Sequence, residues 1–496
     1  LRRRVVVIGA GIVGVSVARW LTRFEGLEVV VVDKEPDVGW GVTKANTSII
    51  HPCHEEDPDR WPVRARLCVR GHRLWYDWVR ELDIPSRWPG EVIVARTEEE
   101  LGRISKYVDV ARRLGVPGVR FVDREELIEV EPAVNPDNVG GLLARTAGLI
   151  SPMKAAIAIA ENAAANGARF LLGARVRDII VEGGAVRGVV TDRGVLEADV
   201  VVNAAGVWAD EVAEMAGVRD YRIRPRRGQY AVFSDKVGPK PRLILHTAPT
   251  PKTKGVYAVT TVDGNLMVGP TAEDLPDDAR EAREVTGEGI DFVLEQAAKI
   301  LKSLPPRRRI IRTFAGIRPE PTGGDFIIRF HEEPWGFVEA AGIRSPGLTA
   351  APAIGEEVAR LVREALGGLV ERDDWVAVRE GIPHPATMAR QERDALIRAV
   401  PEYGRIICAC RKVSEGEVIE AVERARALGA GLTLDGIKFR VGAMYGDCQG
   451  SQCRAHIAYL IWRRYGVPPW ELMLNREGSR YALAPIKALL RGGRDE

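Results

Sequence analysis

At 496 residues the chain is too long for one hydrophobic core, so two or three domains are expected. Lys and Arg number 71 against 69 Asp and Glu, a balance that gives no general attraction to nucleic acid or anionic lipid. With 46% hydrophobic and 28% charged residues, the composition is that of an ordinary globular protein.

The start, Leu1-Arg2-Arg3-Arg4 followed by Val5 to Val17, has the outline of a signal peptide. Gly9, Gly11 and Gly14 interrupt its apolar run, however, and a second strand-like run follows, so a mature N-terminal strand explains it better. No run of about 18 apolar residues occurs, so no membrane span is expected. The expected location is the cytoplasm, with any attachment to the inner membrane face made through a partner.

Arg4 to Ile8 reads as a strand, Gly9-Ala10-Gly11-Ile12-Val13-Gly14 as a turn, and the segment to about Leu21 as a helix. Glu28 to Val32 reads as a second strand ending at Asp33, 19 residues after Gly14. Together they make a βαβ unit for a dinucleotide. Gly9 permits the turn, Gly11 lets a pyrophosphate approach the backbone, and Gly14 lets helix and strand pack closely. The helix N-terminus offers N–H donors to phosphates, and Asp33 can accept from ribose hydroxyls. An acid there disfavours a 2′-phosphate, so NADP is not expected. The motif does not separate FAD from NAD. No second such motif occurs, which favours a single dinucleotide.

Further along, Gly41 to His51 is rich in small hydroxyl residues, and Ala198 to Asp210 is a buried strand ending in small residues. Pro225-Arg226-Arg227-Gly228-Gln229-Tyr230 carries a basic pair. From Pro249 through Thr250 and Pro251 to Asp274 the pattern alternates as in antiparallel strands, with Asp263-Gly264-Asn265 as a hairpin turn. Phe314 to Pro319 and the glycine-rich Ala340 to Ala350 follow. The domains are expected at 1–85, 145–215 and 310–375 for the nucleotide, and at 86–144 and 216–309 for the substrate. A linker is expected over 376–403 and a third domain over 404–496.

Four of six cysteines fall in two close pairs, Cys408/Cys410 and Cys448/Cys453, separated by 37 residues. Four such thiolates can bind a [2Fe–2S] cluster or a zinc ion, and zinc more often takes C-x-x-C pairs. Cys53 and Cys68 stand apart, suggest no disulfide framework, and read as small buried apolar residues.

The segments from Arg4 to Ala350 resemble the D-amino-acid oxidase-like FAD-dependent oxidoreductases, and most of all their anaerobic type of glycerol-3-phosphate dehydrogenase. The C-terminal cysteines, with Asp435 to Arg440 and Gly446 to Gly450, resemble the bacterioferritin-associated ferredoxin-like module that follows the flavoprotein in that type. There Val441 to Tyr445 departs from the family run: an arginine is absent, and Met444 replaces a glycine. The stretch after His51, Pro52-Cys53-His54, departs too.

The resemblance implies an α/β fold. A Rossmann-type FAD-binding domain would carry an inserted antiparallel-sheet substrate domain, with a small helical C-terminal cluster domain. It implies that FAD is held by Gly9, Gly11, Ile12, Val13, Gly14, Asp33, Lys34, Thr43, Lys44, Asn46, Thr47, Val176, Ala205, Gly206, Trp208, Gly316, Gly342, Ser345, Pro346, Gly347, Leu348 and Thr349. Cys408, Cys410, Cys448 and Cys453 would hold the [2Fe–2S] cluster. Arg318 would meet a small anionic substrate; its plain alternative is a structural ion pair. Lys254 and Tyr257 would line the substrate cavity; their plain alternative is a place at a sheet edge. His51 would remove a hydroxyl proton, or merely hold flavin or substrate by a hydrogen bond; His54 and His246 are weaker candidates. The implied activity is oxidation of glycerol 3-phosphate to dihydroxyacetone phosphate. Hydride passes to flavin, and electrons leave through the cluster to an electron-accepting or quinone-linked partner. The alternatives are a dehydrogenase for a 2-hydroxy acid or an amino or imino acid, and a non-catalytic electron-transfer subunit. Oligomeric state is open.

Overall fold

The computed structural model describes residues 2–250 and 253–485; Leu1, Pro251 and the end of the 404–496 segment lie outside it. Among the described residues two nine-stranded sheets dominate. The first runs in the order Val176–Glu182, Ala185–Thr191, Trp335–Ala341, Val200–Asn203, Arg3–Ile8, Leu27–Asp33, Arg169–Leu172. Its last five strands are parallel, and Val5, Val6, Val7, Val200, Val201 and Val202 are wholly buried. Continuous β-branched runs suit a sheet covered on both faces. Helices Ile12–Leu21, Pro152–Ala165 and Gly347–Ala365 cover one face, and Ala209–Met215 packs on the other. Parallel pairing brings the C-terminal ends of Arg3–Ile8, Leu27–Asp33, Val200–Asn203 and Trp335–Ala341 to one edge, so the loops that follow them converge there.

The second sheet holds Glu273–Asp274, Ile223–Phe233, Leu266–Gly269, Tyr257–Thr260, Ile244–Thr247, Glu91–Ala95, Gly140–Ala144 and Val119–Asp123, with Ile310–Pro321 pairing Ile223–Phe233. Its ladders are antiparallel except that Ile244–Thr247 runs parallel to Glu91–Ala95. The expected hairpin forms: Tyr257–Thr260 and Leu266–Gly269 pair across a turn in which Gly264 has φ +83°. Helix Gly287–Ile300 covers one face of this sheet. The strand register places Glu91, His246 and Tyr257 together on one face.

Helices Glu415–Ala427, Leu434–Val441 and Cys453–Tyr465 surround a separate small core. The first of them starts at a reciprocal cap, in which Ser414 Oγ accepts from Glu417 N–H and the Glu417 carboxylate accepts from Ser414 N–H. This unit is bound to the first sheet's loops through the buried Arg440–Asp37 ion pair at 2.5 Å and the Gly431 N–H to Pro36 O bond at 2.7 Å. Arg411 also reaches Asp263, on the second sheet's hairpin, at 2.8 Å. No helix of the described residues is long and apolar enough to cross a membrane.

One expectation is overturned. Cys53 and Cys68 form a disulfide, with Cα atoms 5.9 Å apart, that ties the segment after His51 to helix Pro62–Glu81. Both residues are buried, as expected, but as a cross-link rather than as apolar filling. The spacing of two scattered cysteines carries no signal for that.

Candidate active site and thiol cluster

The converging loops and the second sheet enclose a cavity of about 450 Å³. Most of the residues expected to bind FAD line it: Gly9, Gly11, Ile12, Val13, Asp33, Lys34, Thr43, Asn46, Thr47, Val176, Ala205, Gly206, Trp208, Gly316, Ser345, Pro346, Gly347 and Leu348. Gly14, Lys44, Gly342 and Thr349 lie behind the wall. At Gly14 a Cβ would sit 1.8 Å from the Gly9 carbonyl oxygen, so this glycine serves helix–strand packing. Lys44 lies over the Trp40 ring, its pKa lowered by burial to about 8. Gly342 has φ +67°, which suits its turn. Thr349 Oγ1 accepts from His51 N–H at 2.9 Å and so fixes the backbone of that residue.

At the nucleotide end, Gly11 leaves open space where a side chain would be: its Cβ would meet Thr43 Oγ1 alone, at 3.5 Å. Asp33 is anchored by accepting from Ala10 N–H at 2.7 Å and Glu35 N–H at 2.9 Å, and burial raises its pKa. Lys34 is ion-paired to Glu281 and lies over the Trp208 ring. An open glycine turn, an anchored acid and small hydroxyl residues fit an adenine dinucleotide.

His51, Tyr257, Lys254 and Arg318 line the other end. His51 is buried, its Nε2 is 3.4 Å from Ser345 Oγ, and its Nδ1 has no protein partner. Burial first, and the Lys254 charge second, hold its pKa well below the usual value. Arg318 donates to Thr271 O and pairs with no carboxylate among the described residues. Lys254 is differently placed: its ammonium is bound by Glu56 and lies 3.3 Å from Glu55, and Glu56 also accepts from Arg64 at 2.5 Å. Its charge is therefore already matched. His246 stacks on the Tyr257 ring at 4.4 Å and His54 lies 3.7 Å from Glu91; His246, His54 and Glu91 do not border the cavity.

Sequence reasoning missed Glu55 and Glu56, and also Tyr230 and Arg344 on the cavity wall. For Arg344 a signal existed, a guanidinium between Ile343 and Ser345 in a loop of otherwise small residues.

In the C-terminal unit the thiols form a row. Cys408 and Cys410 are 3.7 Å apart, Cys410 and Cys448 are 4.0 Å apart, and Cys453 interacts with Cys408. Backbone N–H groups of Arg411 and Met444 point at Cys408, and those of Gly450 and Gln452 at Cys448. Lys412, Met444 and Gln449 have positive φ, and Met444 thus keeps the backbone shape of a glycine. Hydrogen bonding from Cys453 draws Cys408 down to about 5, while burial and the Cys408 charge push Cys410 up to about 12. Four such groups ionise together only around positive charge, and N–H donors on sulfur suit an iron–sulfur cluster.

The FAD dependent oxidoreductase family matches residues 4–361, and the BFD-like [2Fe-2S] binding domain matches residues 406–463. A glycerol 3-phosphate dehydrogenase of Caloramator mitchellensis is 34% identical over 98% of this chain and 99% of its own. One component of the anaerobic glycerol-3-phosphate dehydrogenase of Escherichia coli is 24% identical over 92% of this chain and 88% of its own. The fold matches the FAD-bound structure of L-alpha-glycerophosphate oxidase from Mycoplasma pneumoniae with a TM-score of 0.71, at 28% identity, over 76% of this chain and 98% of that one. With a family match across most of its length, a cavity shaped for the dinucleotide and a second match over the thiols, this chain belongs to the FAD-dependent oxidoreductases and carries a BFD-like [2Fe–2S] domain.

Proposed function

We propose that this enzyme is a dehydrogenase that oxidises glycerol 3-phosphate to dihydroxyacetone phosphate, its electrons leaving through the C-terminal cluster. The observation that carries this is one cavity wall holding both a buried neutral imidazole, His51, and a guanidinium, Arg318, with no carboxylate partner among the described residues. Arg318 would fork onto the substrate's anionic group. His51 would take the hydroxyl proton at its imidazole, with Ser345 Oγ beside Nε2 and Thr349 fixing the backbone. FAD supplies the acceptor for the carbon-bound hydrogen, and the cluster a one-electron carrier. The full-length relatives named for glycerol 3-phosphate, thiol domain included, support this substrate. The Escherichia coli relative is one component of a larger enzyme, which supports an electron-accepting partner here, through which attachment to the inner membrane face would come.

The test is an anaerobic spectrum of the purified protein before and after glycerol 3-phosphate, with iron and zinc assays. Bleaching of the flavin band near about 450 nm with reduction of an iron-based band is expected. Bleaching by a 2-hydroxy acid or an amino acid alone would replace the named substrate. Zinc without iron would end the electron-relay proposal, and no bleaching with any substrate would leave a non-catalytic electron carrier.

A further inference from the structure

The substrate end of the cavity carries more buried positive charge than its carboxylates balance. Lys254 is matched by Glu55 and Glu56, and Arg64 by Glu56. Arg318 has the Thr271 carbonyl. Arg344 has Glu320, its Nε 2.9 Å from Oε2; Arg226, 3.5 Å from that carboxylate, has Asp274 at 2.6 Å. Thus among the described residues four cations, Lys254, Arg64, Arg318 and Arg344, face three carboxylates, Glu55, Glu56 and Glu320. Glu91 adds little, since burial raises its pKa well above the usual value and favours its neutral form. The Arg344 side chain is 16% exposed, so its charge is largely cut off from water. Burial, with Arg64 and Arg318 adding to it, lowers its pKa in spite of Glu320.

Arg318 and Arg344 border the same cavity. Arg318 lies in strand Ile310–Pro321, and Arg344 in the loop between Trp335–Ala341 and Gly347–Ala365. Strand and loop are in contact, for a Cβ on Gly342 would sit 2.7 Å from Pro321. Arg344 also immediately precedes Ser345, which touches His51. Two forks here offer more donors and more charge than a monocarboxylate can use. A phosphate dianion, with three terminal oxygens, can take both.

We propose that Arg344 and Arg318 together clamp the phosphate of a phosphate monoester, and that Arg344 sets the site for phosphate over carboxylate. Lys254 then serves as the counter-ion of Glu55 and Glu56 rather than as the anion ligand. This rests on the cavity being the substrate site, as proposed above. Arg344 binds and positions; it moves no proton.

The experiment is calorimetric titration of the holoenzyme with inorganic phosphate, glycerol 3-phosphate and lactate, for the native protein, Arg344→Gln and Arg344→Lys. Native protein should bind inorganic phosphate. Arg344→Gln should weaken phosphate and glycerol 3-phosphate about 10- to 100-fold, with lactate changed less than about 3-fold. In turnover, KM should rise with kcat nearly kept, and Arg344→Lys should fall between. Phosphate affinity unchanged in Arg344→Gln, or lactate weakened equally, would overturn the clamp. If Arg344→Gln does not fold, Arg344→Lys decides: phosphate binding equal to native overturns the clamp, and a selective loss supports it. Arg344-dependent phosphate binding without flavin bleaching by glycerol 3-phosphate would sink the named substrate and leave the clamp. Bleaching with Arg344-independent affinity would do the reverse.

Discussion

Gly11 and Gly14 share a motif but serve different ends. At Gly11 a Cβ would touch Thr43 Oγ1 alone, at 3.5 Å, whereas at Gly14 it would strike the Gly9 carbonyl at 1.8 Å. Gly11→Ala should therefore melt like the native apoprotein but retain less FAD per chain. Gly14→Ala should lose about 1–3 kcal/mol or more of stability, as backbone crowding in a packed core does. Flavin-to-protein absorbance ratios and melting curves separate the two. At His51, Asn should lower kcat about 10²- to 10⁴-fold, the usual scale for a lost general base. Because burial holds the His51 pKa well below its ordinary value, the acid limb of native kcat should lie well below pH 6.5. A limb at or above that value would assign the base elsewhere.

Among the connecting elements, the disulfide is the main covalent addition. Cys53 and Cys68 close a loop with a sequence separation of 15, for which chain entropy predicts about 3 kcal/mol. The double Cys→Ala variant should unfold more easily by that order in denaturant titration, and unfolded native protein should show four reactive thiols without reductant. That link was invisible in the sequence, because it joins a loop to a helix whose packing the sequence does not specify. The βαβ unit was legible because Gly9, Gly11, Gly14 and Asp33 lie within one local unit. The hairpin at Asp263-Gly264-Asn265 was legible for the same reason. What stayed hidden is non-local: the match of Lys254 by Glu55 and Glu56, and the placing of Arg344, from a loop, on the same cavity as Arg318. In both cases charges far apart in sequence set each other's meaning, and a residue seen alone keeps several.

At the scale of the whole molecule, acid should act through four imidazoles buried in neutral form. Burial holds His51 well below its usual value and lowers His54 and His72 to about 4 and His246 to about 3. The unfolded chain then binds protons that the folded one refuses, so stability is full above about pH 6.5 and falls with pH towards these values. Each imidazole contributes at most about 1.4 kcal/mol per pH unit in that window. Unfolding free energies from pH 7 to 4 should show it, and His54→Gln should lower the slope by about one proton. Between units, the Arg440–Asp37 pair has side chains 1% and 0% exposed. Arg440→Ala leaves Asp37 buried without a partner and should cost about 3–5 kcal/mol, read by denaturation and by faster proteolysis between 376 and 403.

The segment from Asp33 to Thr43 has two faces. Asp33, Gly41 and Thr43 look into the nucleotide cavity, while Pro36, Asp37 and Trp40 grip the thiol unit through Gly431, Arg440 and Phe439. A ligand that orders one face orders the other, and such coupling is reciprocal. Assembly is then self-checking: chains stripped of flavin should hold their iron less firmly, and chains whose thiol unit is prised loose should leak flavin. The cell would seldom carry half-built enzyme that takes electrons from substrate with nowhere to send them.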